Sequence, residues 1–448
     1  MSLPRYPKYK DSGVEWLGEV PEHWETSRLK RMCRVFPSNV DKKTAAGEPP
    51  VLLCNYTDVY KNDRIVSGMD FMAATASPEQ ILRFTLRAGD TIITKDSETA
   101  EDIAIAAYVP EDLPGVVCGY HLAMVRPHSD VDGAFVKRVF DSTYAKSCFA
   151  VRADGLTRVG LAQFDIDNVD FPLPSLAEQT AIAAFLDRET AKIDDLVAEQ
   201  ERLIELLKEK RQGVISSAVT RGLNPKAPMK DSGVEWLGEI PAHWELRRLK
   251  HISPFITVGI VVNPSTFVAD EGYPFIYGGD IREGVIDWSN SRRIDEVSTK
   301  ANSKTLLKAG DLLTVRVGAP GVTAVVPKEC DGGNCASVML VRKGSYNSEW
   351  LCLVMNTRVV RFQVEVVQYG AAQEQFNISH AVNFWVPMPP RDEQNEIAAV
   401  LLRETTRLDG LTTEAQRAID LLQERRTALI SAAVTGQIDV RKASGKAA

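Results

Sequence analysis

The chain contains 448 residues, of which 44% are hydrophobic and 25% are charged. This composition is typical of globular proteins with two to four domains, and it excludes a disordered or fibrous chain. The formal net charge of −7 argues, taken alone, against nucleic-acid binding, because phosphate contacts need a concentrated positive surface.

Membrane association and disulfides are not expected. The apolar runs are far shorter than the roughly 18 residues of a membrane span, and the first residues lack the apolar core of a secretory signal. We therefore expect a cytoplasmic protein whose seven scattered cysteines are buried thiols. The close pair Cys330 and Cys335 lacks the two-residue gap and the second ligand pair of a zinc site, so we expect no metal.

Positive charge is concentrated in two segments. Residues 28–43 carry six basic side chains and one acid, and residues 291–316 carry six basic side chains and three acids. These segments are candidate patches for binding phosphate, and an ordinary solvated face is the alternative.

An internal repeat organises the chain. Residues 10–25, KDSGVEWLGEVPEHWE, recur at 230–245 as KDSGVEWLGEIPAHWE, so that only two of sixteen positions differ. Further along, the Ala-Gly-Asp at 88–90 matches 309–311, and a Pro-x-Pro…Glu-Gln pattern at 172–179 matches 387–394. The segments between these motifs have diverged. This pattern predicts two structurally similar halves that share their terminal motifs and differ in the segments between them.

The repeat and the proline positions divide the chain into six segments. We predict globular domains at 1–173 and 230–388, long helices at 174–220 and 389–435, a linker at 221–229 and a C-terminal tail at 436–448. Within the globular domains, strands are expected at 91–94, 312–315 and 338–341, and helices at 132–149 and 349–367. The predicted fold class is α+β.

Apolar residues in both long helices follow alternating steps of four and three, the spacing of a coiled-coil seam. The predicted seam consists of Ile182, Leu186, Ile193, Leu196, Leu203, Leu207 and Val214 in the first helix and Ile397, Leu401, Leu408, Leu411, Leu422 and Leu429 in the second. A helix of about 40 residues is about 60 Å long, and one with a single apolar seam needs a partner. We expect the two helices to form an antiparallel intramolecular coiled coil joining two pseudo-symmetric globular α/β domains; packing of each helix on its own domain is the alternative.

Polar residues occur at equivalent seam positions of the two helices, and we predict that they fix how the helices align. Glu189 with Glu404, and Lys210 with Arg425, would fix the register of the helix pair.

Catalytic motifs were not found in the sequence. It contains no phosphate-binding loop for ATP and no Asn/Asp-Pro-Pro-Tyr/Phe tetrapeptide of an amino-methyltransferase. His23 and His243 recur without a nucleophile or paired carboxylate beside both, so we expect them to be structural. Trp16, Trp24, Trp236 and Trp244 are expected to anchor the core of each domain. We assign no catalytic residue.

Taken together, these motifs resemble those of the specificity subunits of type I restriction-modification systems, over nearly the whole chain. The resemblance rests on the KDSGVEWLGE segment at the start of each half, the two Ala-Gly-Asp motifs and the two Pro-x-Pro…Glu-Gln motifs.

The resemblance implies a non-catalytic protein from a bacterium or archaeon. Residues 1–173 and 230–388 would be target-recognition domains, each recognising one half of a bipartite double-stranded DNA target. The helices would set the spacer between the half-sites and bind two methyltransferase subunits. S-adenosylmethionine, ATP and Mg²⁺ are expected on the methyltransferase and the restriction and translocase subunits, not on this chain. A scaffold or decoy that binds partner subunits without recognising DNA is the alternative.

Base recognition needs Arg, Lys, Asn or Gln side chains at groove edges, and most other contacts go to phosphates. The candidate DNA-binding residues are Lys42, Lys43, Lys95, Tyr277, Arg292, Arg293, Lys304, Arg316, Gln373 and Gln375. One difference between the halves bears on them. Residues 316–321 contain the glycines usual in the family, whereas residues 95–102 contain four acids, which would repel phosphate.

Overall fold

The computed structural model describes residues 4–369 and 374–441, which form two compact units. The first unit contains residues 4–201 and 416–441. The second contains residues 202–369 and 374–415. Each of the two long helices is divided between the units, and each unit is described by itself below.

The first unit has thirteen short strands among its described residues. They are Tyr9–Asp11 (β1), Glu19–Pro21 (β2), Glu25–Arg28 (β3), Cys33–Pro37 (β4), Pro50–Cys54 (β5), Met72–Thr75 (β6), Thr91–Thr94 (β7), Asp96–Ser97 (β8), Ala106–Tyr108 (β9), Val116–Cys118 (β10), Leu122–Pro127 (β11), Val159–Gly160 (β12) and Asp170–Leu173 (β13). Its helices are Leu29–Met32 (α1), Tyr56–Lys61 (α2), Pro78–Phe84 (α3), Gly133–Asp141 (α4), Thr143–Ala150 (α5), Gln163–Asp167 (α6) and the first part of Leu176–Arg221 (α7).

The second unit repeats this pattern. Its strands are Met229–Asp231 (β14), Glu239–Pro241 (β15), Glu245–Arg248 (β16), Ile256–Val258 (β17), Tyr273–Ile276 (β18), Ile281–Arg282 (β19), Val285–Ile286 (β20), Arg292–Ile294 (β21), Leu312–Thr314 (β22), Thr323–Val325 (β23), Asn334–Cys335 (β24), Met339–Val341 (β25) and Trp385–Met388 (β26). Its helices are Glu296–Ala301 (α8), Ser348–Asn356 (α9), Arg358–Val367 (α10), Ile378–Ala381 (α11) and most of Arg391–Val434 (α12).

The two largest sheets have the same topology in both units. A four-stranded antiparallel sheet has the order β4-β11-β7-β9 in the first unit and β17-β25-β22-β23 in the second. A three-stranded sheet has the order β10-β5-β6 in the first unit and β24-β18-β21 in the second, and in both its first pair is parallel. The internal repeat therefore extends through the segments in which the sequence has diverged.

The repeated Ala-Gly-Asp motif forms a buried ion pair in each unit. Asp90 has no exposed surface and accepts two hydrogen bonds of 2.7 Å from Arg126 on β11. Asp311 is likewise buried and pairs with Arg342, which follows β25. The glycine before each aspartate has a positive φ, 92° at Gly89 and 89° at Gly310, which a residue with a side chain rarely adopts. The motif therefore fixes the start of β7 and of β22, each one of the two central strands of its four-stranded sheet.

The helices predicted at 132–149 and 349–367 are each two helices. Ser142 ends α4 in an extended conformation, and its hydroxyl accepts a hydrogen bond from the Ala145 amide, so it also caps α5. Thr357, also extended, separates α9 from α10. Both breaks occur at Ser or Thr, whose side chains favour caps over helix interiors.

The repeated Glu-Gln pair at the start of each long helix connects that helix to its globular part. Glu178 accepts a 2.6 Å hydrogen bond from the Tyr6 hydroxyl and lies 3.0 Å from His23. Glu393 lies 2.8 Å from His243 and accepts a 3.0 Å hydrogen bond from the Trp244 indole. Both histidines have structural partners in this arrangement.

The glutamines of these pairs form equivalent contacts. The side-chain oxygen of Gln179 accepts a hydrogen bond from the Asp132 amide, at 2.8 Å, just before α4. That of Gln394 accepts one from the Asn347 amide, at 2.9 Å, just before α9. Both side chains are 1% exposed, so the motif is explained by packing within each unit.

The buried stripe of each long helix has a period of 3.6 rather than 3.5 residues. In α7 the buried and half-buried stripe is Ile182, Leu186, Thr190, Ile193, Val197, Gln200, Ile204, Leu207, Arg211, Ile215 and Ala218, and in α12 it is Ile397, Leu401, Thr405, Leu408, Thr412, Ala415, Ile419, Leu422, Arg426, Ile430 and Ala433. The two stripes are related by a shift of 215 residues at every position.

The structure differs from the predicted seam at three leucines. Leu196, Leu203 and Leu411 are 45%, 41% and 42% exposed, and Val197, Ile204 and Thr412 lie in the stripe instead. Val214, Leu422 and Leu429 are half-buried, and the remaining predicted seam residues are buried. A strict heptad pattern drifts by about 20° per heptad on a straight helix, which moves the seam by one residue along each helix.

Within each unit the two long helices run antiparallel. In the first unit Ile182 and Leu186 share a core with Ile430 and Val434, while Asp194 pairs with Arg426. In the second unit Ile215 and Val219 share a core with Ile397 and Leu401, while Arg211 pairs with Asp409. Lys210 and Arg425 were predicted to fix the register. The ion pairs are instead formed by the next residue along each helix, Arg211 and Arg426.

The end of the chain packs in the first unit rather than forming a separate tail. Asp439 donates its amide to the Pro4 carbonyl at 2.7 Å, and the Tyr9 hydroxyl donates to the Gly436 carbonyl at 3.0 Å. The predicted tail therefore belongs, through residue 441, to the unit that contains the N-terminus.

Among the described residues, no helix combines the length and apolar character that a bilayer span requires. All seven cysteines are buried with free thiols, and burial raises the pKa of Cys33 to about 12.

Candidate nucleic-acid interface

In the first unit, the candidate Lys95 lies at the end of β7 beside an exposed tyrosine. Its ammonium is 4.8 Å from the centre of the Tyr120 ring, and it lies 3.5 Å from the Ser38 carbonyl. Tyr120 is 50% exposed, and its ring contacts the imidazole of His121 edge-on at 4.8 Å. Asp96 lies 2.9 Å from His121. We call Lys95, Asp96, Tyr120 and His121 the Lys95 cluster.

The candidates Lys42 and Lys43 lie on an exposed loop that begins near this cluster. The loop leaves Ser38, whose carbonyl contacts Lys95 and whose hydroxyl accepts a hydrogen bond from the Val40 amide. Both lysine side chains are exposed, and Lys43 is 3.9 Å from Asp41. These positions suit phosphate contacts, because long exposed lysine side chains can reach the phosphate backbone of a nearby nucleic acid.

Two of the four acids after Lys95 have side-chain partners. Asp96 faces His121, and Asp102 accepts a 2.9 Å hydrogen bond from the Tyr60 hydroxyl. The Tyr60 ring stacks on Tyr56, with centres 5.6 Å apart. The first unit therefore presents aromatic and acidic groups where the second has glycines.

In the second unit, Tyr277 and Arg292 form a stacked pair. The Arg292 guanidinium lies 4.2 Å from the centre of the Tyr277 ring. Burial raises the pKa of Tyr277, so its hydroxyl stays protonated and can donate a hydrogen bond. An exposed guanidinium on an aromatic ring is a pre-organised donor for a phosphate or a guanine edge.

Arg316 and Gln375 are brought together although they are 59 residues apart in sequence. Val317 pairs with Gln375 in a short antiparallel bridge, and the Phe376 amide donates to the Arg316 carbonyl at 3.3 Å. A Cβ on Gly278 would lie 3.9 Å from the Val317 carbonyl, which places the Tyr277 segment beside this bridge. We call Tyr277, Arg292, Arg316 and Gln375 the Arg316 cluster.

Two of the other candidates lie outside this cluster. Arg293 is half-buried and donates to the Ser289 carbonyl at 3.4 Å. Lys304 is exposed, with its ammonium 5.9 Å from the Phe255 ring. Gln373 lies outside the described residues.

Sequence reasoning missed the aromatic residues of these surfaces. Tyr120 follows Gly119 at the end of a strand, and Tyr369 is 48% exposed and exchanges two 2.9 Å backbone hydrogen bonds with Gln375. The available signal was a tyrosine beside a glycine or in a polar loop, which is too common to single out a site.

The two clusters can bind nucleic acid in different ways. The Lys95 cluster offers an ammonium, a carboxylate, an imidazole and one exposed phenol ring, whereas the Arg316 cluster offers two guanidinium groups, a phenol and an amide. Such groups can make bidentate contacts to base edges and stack on bases. Among the described residues no group of three or more His, Cys, Asp or Glu side chains could hold a metal ion.

No protein-family model matches the chain. Curated relatives do match it. The StySPI type I restriction enzyme specificity subunit of Salmonella potsdam is 22% identical over 444 residues, covering 94% of this chain and 90% of the relative. The MjaVIII type I restriction enzyme specificity subunit of Methanocaldococcus jannaschii is 22% identical over 440 residues and 94% of both chains. The EcoBI type I restriction enzyme specificity subunit of Escherichia coli is 24% identical over 306 residues, 65% of this chain and 63% of the relative.

Solved structures show the same fold. A chain from a study of complex assembly and conformational transition in the type I R-M system superposes with a TM-score of 0.71 at 18% identity, covering 93% of this chain and 98% of that one. The HsdS subunit from Thermoanaerobacter tengcongensis gives a TM-score of 0.57 at 18% identity, with coverage of 95% and 99%. Sequence and fold together therefore identify the chain as a relative of the type I restriction enzyme specificity subunits.

Proposed function

We propose that the chain is the DNA-specificity subunit of a type I restriction-modification complex. The globular part of the first unit recognises one half of a bipartite target, and that of the second unit recognises the other half. One observation carries this proposal: the units share the topology of their two largest sheets, but the Lys95 and Arg316 clusters differ in their groups. Different groups on a common frame are what recognition of two different half-sites by two equivalent domains would use.

The residues of the Arg316 cluster fit direct base recognition. An arginine can donate two hydrogen bonds to guanine, and a glutamine can pair with adenine, each worth about 1–3 kcal/mol of discrimination. Lys42, Lys43, Arg293 and Lys304 would contact phosphates, which position the protein without carrying sequence information.

In this proposal the chain itself does no chemistry. Two methyltransferase subunits supply S-adenosylmethionine and methyl transfer, and restriction subunits supply ATP- and Mg²⁺-dependent translocation and cleavage. The long helices set the spacer and carry the partner subunits. The purified chain is accordingly expected to show no turnover with DNA and labelled S-adenosylmethionine, or with DNA, ATP and Mg²⁺.

A methylation map tests the proposal. A bacterial genome is mapped in cells that express the neighbouring methyltransferase with and without this chain. The expected result is a split motif with a fixed, unrecognised spacer that appears only when the chain is present. A complex that co-purifies but produces no new motif would overturn the proposal in favour of a scaffold or decoy.

A further inference from the structure

The motif at 10–25 and 230–245 is more similar between the halves than the fold requires. Much of its identity has a structural cause. Trp24 and Trp244 are fully buried, and Gly13 and Gly233 have φ angles of 72° and 74°. The Asp11 carboxylate caps the Gly13 amide at 2.9 Å, as Asp231 does for Gly233.

Three identical positions have no such cause. Trp16 and Trp236, which the sequence suggested as core residues, are 54% and 37% exposed. The glutamates on either side in sequence, at 15 and 19 and at 235 and 239, are also exposed. Within residues 4–369 and 374–441, the side chains of these glutamates make no hydrogen bond or ion pair, although the backbones of Glu19 and Glu239 pair with Asp11 and Asp231 in short strands. A tryptophan that keeps a large part of its ring exposed between two acids, in both diverged halves, indicates a common ligand.

Each exposed tryptophan borders a cavity made from equivalent elements. In the first unit a cavity of about 540 Å³ lies between Trp16, the outer face of α5 and the end of α12, where Ser431 and Thr435 line it. In the second a smaller cavity of about 260 Å³ lies between Trp236, α10 and the end of α7, where Ser216 and Thr220 line it. A shift of 215 residues relates the two Ser/Thr pairs.

Apolar side chains enlarge both surfaces. Val151 is 63% exposed and lines the same cavity as Trp16, and the ring of Phe362 lies 5.6 Å from that of Trp236. Glu15, Trp16, Glu19 and Val151 define the Trp16 face. Glu235, Trp236, Glu239 and Phe362 define the Trp236 face.

We propose that the Trp16 face and the Trp236 face are equivalent docking sites for two copies of the methyltransferase subunit. Each copy packs an apolar side chain against the tryptophan and directs basic side chains toward the two glutamates. The proposal rests on the proposed function, which supplies the partner, and it assigns docking to these faces rather than to the long helices alone.

The chemistry of the faces favours this occupant. DNA is disfavoured because the glutamates repel phosphate. Two matching sites on one chain fit two identical partners, whereas a ligand that binds the chain only once would not maintain both. The charge is not uniform, since Arg358 lines the cavity beside Trp236 and Arg152 lines a second cavity that borders Trp16. The exposed ring is therefore the main anchor, as tryptophan often is in protein interfaces.

Partner stoichiometry tests the inference. The chain is co-expressed with the methyltransferase subunit, and the purified complex is weighed by native mass spectrometry. Trp16→Ala and Trp236→Ala should each leave one methyltransferase per chain instead of two, and the double variant should leave none. At each altered face the affinity should fall about 30-fold or more, the size typical of a lost tryptophan hot spot. Leu82→Ala and Val297→Ala, at leucine and valine side chains that are 74% and 78% exposed, are controls expected to keep two partners.

A second variant guards against loss of folding. Glu15→Lys combined with Glu19→Lys changes only exposed side chains, and it should weaken binding at the first face alone. Two methyltransferases bound to both the double tryptophan variant and this charge variant with unchanged affinity would overturn the inference and leave the proposed function intact. If the double tryptophan variant loses self-association of the free chain but still binds the methyltransferase, the inference would also be overturned, and a second copy of this chain would be the occupant. Failure of the unaltered chain to bind the methyltransferase would overturn both.

Discussion

Arg426 donates a hydrogen bond from Nε to Asp194 at 3.0 Å, and Arg211 donates the same bond to Asp409 at 3.1 Å. A shift of 215 residues converts Asp194 to Asp409 and Arg211 to Arg426. The two ion pairs, one in each unit, are thus repeat images of each other. Each pair joins α7 to α12 and defines one antiparallel register for both units.

These pairs should contribute to register more than to stability. The arginine side chains are about one-third exposed, and exposed pairs typically contribute 0.2–1 kcal/mol. In a double-mutant cycle of Arg426→Ala and Asp194→Ala, we expect a coupling free energy of about 0.5 kcal/mol by denaturant unfolding. A coupling free energy of zero would contradict a direct pairing.

The buried Asp90–Arg126 pair should matter far more. Asp90→Asn leaves the Arg126 charge without its partner, which typically destabilises a protein by about 3–5 kcal/mol. We expect accelerated hydrogen exchange in β7 and β11 of the first unit, and the same in β22 and β25 for Asp311→Asn. Asp41→Asn, at a side chain that is 63% exposed, is the control and should change little. Equal hydrogen-exchange rates in these strands for all three variants would contradict a stabilising role of the two aspartate–arginine pairs.

Asp63 should make the first unit sensitive to acid. Burial alone would raise the pKa of Asp63, but Lys137, Arg138 and Arg426 outweigh it and lower the pKa. A lowered carboxyl pKa contributes stability above the unfolded-state value of about 3.9, and that stability is lost as the pH falls through the folded-state value.

Asp63→Asn tests this effect. The substitution should destabilise the first unit at pH 6 by about 0.5–1 kcal/mol, because the Asp63 side chain is 47% exposed and solvent screens its ion pairs, and because Lys137 keeps Asp141 at 2.8 Å as a second partner. The difference from the unaltered chain should shrink as the pH falls below about 4, as measured by denaturant titration. A difference that is constant down to pH 3 would contradict the role of this carboxylate.

Shortening both helices together should alter the recognised spacer. Removing residues 197–203 and 412–418 deletes one heptad from each helix and keeps both arginine–aspartate pairs. Each helix becomes about 10 Å shorter, the length of about three base pairs. Methylation at sites with the parental spacer should be lost, and re-spaced sites can replace them. Deletion from α7 alone is the control, because it mismatches the register and should destabilise the helix pair. Unchanged methylation at the parental spacer would contradict the role of the helices.

Much of the architecture follows from the sequence, because the repeated motifs are long and the helical stripes sustained. The one-residue shift of the seam at Leu196 and Leu203 could not be foreseen, since the choice between a 3.5 and a 3.6 period depends on how the helices curve. The exposure of Trp16 also escaped prediction, because hydrophobicity alone does not distinguish a core aromatic from one that binds a partner.

The candidate interface was less accessible to sequence analysis. The long segment between Arg316 and Gln375 gives no sign that the two are brought together, because their pairing is set by a bridge between distant loops. Tyr120 and Tyr369 lie in diverged segments, where the repeat offers no comparison. Local patterns predict elements well, and they predict contacts between loops poorly.

The most direct test of the central claim asks whether each unit recognises its own half-site. Genomic methylation is mapped in cells that express the methyltransferase with one of two variants, Lys95→Ala with Tyr120→Ala, or Arg316→Ala with Tyr277→Ala. The account predicts that the first variant relaxes or abolishes recognition in one half of the split motif and the second in the other, with the spacer unchanged. Variants that alter both halves equally, or that leave both halves unchanged, would contradict it.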